Sequence, residues 1–157
     1  MAFGTWITNL WDPRALVERV TAILLLRRDG AALLQHRDDK PGLRHAGMWG
    51  LPGGHAEVSE SMLDCARREL REETGYDASD LRIFLSFEGT DETGTVFRVT
   101  YFWCWYDGIQ PVACHEGQAM AFLNRSAAAN YPIPAFLFDV WDAGLAAAGA
   151  TTEKLHS

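Results

Sequence analysis

Two apolar runs, Val20 to Arg27 and Ala31 to Arg37, flank the triplet Arg28-Asp29-Gly30. Asp-Gly is a favoured tight-turn pair, so the runs predict a β-hairpin. The pattern breaks from Asp38 to Gly50, DDKPGLRHAGMWG, where Pro, Gly, His and basic residues mark a charged loop. Ser59 to Glu73, SESMLDCARRELREE, lacks Pro and Gly and is rich in helix formers. It predicts a helix capped by Ser59 or Ser61 and closed by Gly75. Leu81 to Glu88 and Val96 to Tyr106 are β-branched and aromatic-rich around GTDETGT, the mark of a second hairpin. On its second strand Phe97, Val99, Tyr101, Trp103 and Trp105 share one face, because side chains alternate with period two. Gln118 to Leu123 predicts one more strand, and Pro134 to Leu145 a closing helix with Pro in its first turn. The Ala, Gly and Thr-rich stretch Ala143 to Ser157 reads as poorly ordered. With no internal repeat and no long linker, the expectation is one mixed α/β domain, its core at about 18–147 and a flexible tail at 148–157.

Composition narrows the class. The chain has 157 residues, 48% hydrophobic and 22% charged, which is too apolar for disorder and fits one folded domain. Its formal charge of −7 argues against a grip on nucleic-acid polymers and requires a metal or a local basic patch for any anionic substrate. Cys65, Cys104 and Cys114 form no C-x-x-C pair and read as core filling in a reduced, cytoplasmic protein. The opening MAFGTWITNLWDPR lacks the pattern of an export signal, and no apolar stretch reaches the roughly 20 residues of a membrane span.

Candidate chemistry sits on the first helix. Residues three and four apart stack on one face, so Glu69, Glu72 and Glu73 fall on a connected arc. Met62, Leu63, Ala66 and Leu70 form the apolar stripe, and Glu69 and Glu73 lie at its border. Clustered carboxylates in that position raise a pKa or bind a hard cation, and an all-oxygen donor set favours Mg²⁺ or Mn²⁺ over Zn²⁺. A solvated helix laced with ion pairs from Arg67, Arg68 and Arg71 is the plain alternative. Ahead of the helix, Trp49-Gly50-Leu51-Pro52-Gly53-Gly54 is a short apolar strand ending in glycines that permit close backbone approach.

Gly54 to Tyr76, GHAEVSESMLDCARRELREETGY, resembles the Nudix box, G-x5-E-x7-R-E-U-x-E-E-x-G-U. Gly54, Glu60, Arg68, Glu69, Leu70, Glu72, Glu73 and Gly75 match, and only Tyr76 departs, being aromatic where the box has an aliphatic residue. The resemblance is strict in the box, looser over about Val20 to Val140, and implies the Nudix α/β/α sandwich with a mixed β-sheet. It also implies a MutT-like pyrophosphohydrolase that cuts a phosphoanhydride of a nucleoside diphosphate derivative, of nucleoside triphosphate or nucleotide-sugar type, by water attack at phosphorus. By the same resemblance Glu69, Glu72, Glu73 and the Gly53 carbonyl would hold Mg²⁺, with Mn²⁺ as substitute. Arg68 would orient Glu69, Glu60 would tie the loop to the helix, and Gly54 and Gly75 would be structural.

The general base in the family is a box glutamate, such as Glu72, or an acid from a later loop, and Glu116 in HEGQAMAFL resembles the latter. His115 is its rival, while His36, His45 and His55 read as structural. Arg37 resembles the phosphate-binding arginine of nucleotide-cleaving members, with Arg44 and Lys40 as further candidates. Phe97, Trp103, Phe122 and Tyr131 are candidates for stacking a base. YPIPAFLF offers Ala135 or Phe136 where members that clean oxidised purines often place an asparagine, which argues against that specificity. The expected partner is therefore a small nucleotide, with no nucleic-acid polymer and no membrane; pairing is common in the family, so a homodimer is an expectation too. A nucleotide-sensing Nudix module without catalysis is the competing function, though its usual loss of box glutamates is not seen here.

Overall fold

The structure, a computed structural model, describes residues 17–156, with side chains as far as Ala150. The expectations placed on the opening 14 residues and on Ser157 lie outside this range. The first hairpin forms as expected from β1 (Val17–Leu26) and β2 (Ala32–His36). Gly30 takes φ 88°, a left-handed conformation that favours glycine, and the Asp29 carboxylate accepts from the Ala31 N–H at 3.1 Å. Two short strands follow, β3 (Trp49–Gly50) and β4 (Gly53–His55), then α1 (Met62–Thr74). Next come β5 (Arg82–Thr90), β6 (Val96–Trp105), β7 (Ala119–Leu123), a single 3-10 turn at Ala127–Asn130 and α2 (Ala135–His156). These strands make one seven-stranded sheet whose main path runs β3-β2-β1-β6-β5, with β4 on β1 and β7 on β2. It is mixed: β1 and β6 run parallel over ten residue pairs, and the other pairs are antiparallel.

A helix covers each face, the α/β/α sandwich expected from the sequence. Ile23, Leu25, Leu33 and Phe102 pack with Ala66 and Leu70 of α1. On the other face Leu24, Leu26, Leu34, Tyr101 and Trp103 pack with Leu137, Val140 and Trp141 of α2. Both faces of β1 and β6 are thus buried, which is why their text is nearly continuously apolar. Ser61 caps α1, accepting from the Asp64 N–H at 3.1 Å, and Gly75 closes it with φ 80°.

Three expectations need correction. Leu63 is 49% exposed, and Cys65 takes its place on the buried stripe. Cys65 and Cys104 are buried core fillers, but Cys114 is exposed. The closing helix does not end near Leu145; it continues to His156, because the alanine-rich run favours helix despite Gly144 and Gly149. No helix among the described residues is long and apolar enough to cross a membrane.

Candidate active site

β4 is the floor of the site. It pairs with the middle of β1, Ala22 opposite Gly53 and Thr21 opposite Gly54, and α1 lies across it. Both glycines are needed for close approach. A Cβ on Gly53 would strike the Thr21 carbonyl and stand 2.9 Å from the Ala22 Cα; one on Gly54 would strike the Glu69 carboxylate. The Gly53 N–H instead donates to Glu73 Oε2 at 3.2 Å.

Glu73 is 4% exposed, deeper than the border position expected from the helix wheel. Burial pushes its carboxyl up to about 8, and the facing Glu116 carboxylate adds to the rise. Glu69 is raised as well, chiefly by burial, with Arg68 opposing and Glu72 and Glu116 adding. Glu72 is the exposed member of the arc. A buried carboxylate surrounded by like charge is the electrostatic setting that a hard cation relieves, and every side-chain donor is oxygen, so the residues fit a Mg²⁺-type ion. Among the described residues no three acidic, His or Cys side chains already stand as a closed metal group. One Arg68 nitrogen bonds Glu69 at 3.0 Å and Glu72 at 3.2 Å.

Arg68 is the hub of the support. It donates to both oxygens of Glu60, at 2.7 and 2.9 Å, and to the His55 carbonyl at 3.1 Å. That bidentate pair holds the Glu60 carboxyl well down, at about 2. Glu60 also accepts from the Glu57 N–H at 3.1 Å, tying loop to helix. Sequence reasoning missed Arg19, whose guanidinium reaches the carbonyls of Glu57, Val58 and Glu60 from β1. A lone arginine in an apolar strand carries no motif that would have revealed it.

Glu116 reaches the cluster from far along the chain. Its loop is tied to the end of α1 by the Ala113 N–H on the Thr74 carbonyl and the His115 N–H on the Glu73 carbonyl, both 2.9 Å. On the other side Gln35 donates to the Glu116 carbonyl at 2.9 Å, a second contact that the sequence did not signal. His115 lies beside the helix cap, its Nε2 3.8 Å from where a Gly75 Cβ would stand.

The basic loop is brought to the same end of the sheet. Arg37 lies against Gly50, and its Nε is buried without a hydrogen-bond partner. Arg44 sits 5.6 Å over the Phe97 ring. His45, at φ 55°, packs 5.8 Å from Phe136, and burial with Arg44 and Arg37 nearby lowers its pKa. Lys40 turns to Asp38 at 3.5 Å. His36 stacks on Trp49 at 4.8 Å, and His55 faces Glu18 at 3.4 Å. Tyr131 meets the edge of Trp49 at 5.6 Å. Burial corrects one stacking candidate, Trp103, while Phe122 stays half-buried. Trp103 is 3% exposed beneath α2 with its ring against Trp105, and Phe122 packs on Tyr106 with Arg27 over its ring. The sheet is covered on both sides, so strand periodicity alone could not tell a lining aromatic from a core one.

Comparison with known proteins agrees with this geometry. The family model described as "NUDIX domain" matches residues 16–139, and the chain belongs to that family as a Nudix hydrolase. A CTP pyrophosphohydrolase of Escherichia coli K12 is 31% identical over 120 residues, covering 75% of this chain and 83% of the relative. The solution structure of the E. coli ORF135 protein superposes with a TM-score of 0.67 at 26% identity, covering 86% of this chain and 93% of that one. The MutT protein of Methanosarcina mazei Go1 gives 0.68 at 22% identity, covering 81% and 91%. Nudix hydrolases generally depend on a divalent metal and act on small nucleotide substrates.

Proposed function

We propose that this chain hydrolyses the phosphoanhydride of a nucleoside triphosphate in a Mg²⁺-dependent reaction, with water attacking phosphorus. The observation that carries the reading is the convergence of Glu69, Glu73 and Glu116 beside Gly53, with Glu73 buried and its pKa raised. Glu69, Glu72, Glu73 and the Gly53 carbonyl would hold the ion. Bound there, Mg²⁺ or Mn²⁺ supplies neutralisation of the diphosphate and a lowered pKa for water. Glu116 is the general base, poised on a loop anchored at both ends. Arg68 orients Glu69, and Arg37, with its unpartnered Nε, binds phosphate beside Arg44. The base of the nucleotide meets Phe97 rather than Trp103 or Phe122. A triphosphate is favoured over a nucleotide-sugar by the relative named CTP pyrophosphohydrolase.

The test is a phosphate and pyrophosphate release panel with Mg²⁺, covering CTP and the other nucleoside triphosphates, oxidised guanine nucleotides, ADP-ribose, dinucleoside polyphosphates and nucleotide sugars. Turnover of a triphosphate that Glu73→Gln lowers by orders of magnitude supports the proposal. Turnover confined to nucleotide sugars overturns the substrate class, and nucleotide binding without turnover favours a sensor.

A further inference from the structure

Gln35 is the penultimate residue of β2 and is only 5% exposed, on the sheet face that Leu33 and α1 fill with apolar side chains. Burying a carboxamide there is costly unless it is hydrogen-bonded, so a leucine would serve the packing better. Its Nε2 donates to the Glu116 carbonyl at 2.9 Å. The contact is tight. Gly117 has φ 83°, and a Cβ there would lie 2.7 Å from the His36 carbonyl and 3.0 Å from Gln35 Cγ. Gln118 continues the seam, its N–H on the His36 carbonyl and its side chain on the Arg37 carbonyl, both at 2.8 Å. Across the loop His115 donates to the Glu73 carbonyl. The stretch from Ala113 to Gln118 is thus pinned between the end of α1 and the end of β2, with Glu116 between the two anchors.

We propose that Gln35 is a positioning residue for Glu116: its buried carboxamide fixes the main chain of the 113–118 loop, so that the Glu116 carboxylate stands against Glu73. The inference rests on the reading of Glu116 as the base. A base on a loop must be held within hydrogen-bond reach of its proton, and a misplacement of about 1 Å costs up to about a hundredfold in rate. Gln35 supplies that restraint without touching substrate.

Two measurements test it. Amide hydrogen exchange on the metal-free protein reads the loop directly: Gln35→Leu raises exchange at the His115 and Gln118 amides about tenfold, and unchanged protection overturns the proposal. A kinetic cycle on the triphosphate turned over fastest in the panel compares wild type, Gln35→Leu, Glu116→Gln and the double variant. Gln35→Leu lowers kcat about tenfold, or about 1.4 kcal/mol, with KM within about twofold. In the Glu116→Gln background it has no further effect; an equal loss in both backgrounds marks a merely structural role and refutes the inference. Gln35→Met repeats the cycle should the leucine variant fold poorly. If Glu116→Gln leaves kcat unchanged while Glu73→Gln abolishes it, the base reading fails and Gln35 has nothing to position. If Glu116→Gln lowers kcat and Gln35→Leu does not, only the present inference fails.

Discussion

Adding one methyl group to Gly54 and, in a separate variant, one to Gly53 separates damage to the site from damage to the fold. A Cβ on Gly54 would stand 2.5 and 2.6 Å from the two Glu69 carboxylate oxygens. Normal contact requires about 0.7–1 Å more, and the carboxylate is the far end of a flexible side chain that can yield. An off-rotamer shift costs about 0.5–1.5 kcal/mol, or a Tm loss of about 2–5 °C at this chain length. The same shift moves a proposed metal ligand by about an ångström, so kcat/KM should fall about a hundredfold. The Gly53 methyl meets the Thr21 carbonyl and the Ala22 Cα of β1 instead. Backbone in the centre of a sheet has no rotamer through which to escape, so the β1–β4 pairing must open, at about 2–4 kcal/mol and a Tm loss of about 5–15 °C. Thermal melts with and without Mg²⁺, alongside triphosphate turnover, read both effects. Wild-type kcat/KM in Gly54→Ala, or equal melting losses in the two variants, would refute the reasoning.

Three further outcomes follow from the same geometry. Glu73 keeps its proton to about pH 8 in the folded chain but releases it near 4.5 when unfolded, so the folded state binds more protons between these values. In EDTA the wild type should therefore lose stability as pH rises from about 5 to 8, with a ceiling of about 5 kcal/mol, and Glu73→Gln should flatten that slope; equal slopes in the two proteins contradict the buried charge. Glu60 shows the opposite sign: its carboxyl, held at about 2, contributes stability above about pH 4.5 that is lost as pH falls towards 2. Glu60→Gln should cost about 1–3 kcal/mol at neutral pH in urea melts, with the gap to wild type closing in acid. Arg37→Ala should raise the triphosphate KM at least about tenfold with Tm within about 2 °C, since its Nε has no partner to lose. An unchanged KM would return Arg37 to a solvated loop.

What the sequence by itself determined is what short-range chemistry dictates. Asp29-Gly30 demands a tight turn, Ser59 or Ser61 and Gly75 bound a helix, and the box spacing puts Glu69, Glu72 and Glu73 on one arc with Arg68 beside them. Each depends on residues a few positions apart, where backbone sterics and side-chain reach leave few choices. Even Glu116 was legible, though only through likeness to a family whose later loop carries an acid.

Tertiary structure decided everything that needs two distant segments at once. The packing of α1 on one side of the sheet and α2 on the other buries both faces of β1 and β6; it makes Trp103 core, while Phe97 lies beside Arg44. Whether Glu73 is solvated or buried depends on β4 and the Glu116 loop closing over α1, contacts 20 or more residues away in sequence. Arg19 and Gln35 carry no local signal because their partners are main-chain carbonyls, and a carbonyl looks alike in every residue. Sequence records which side chains are available for chemistry; the folded chain alone determines which backbone atoms hold them still.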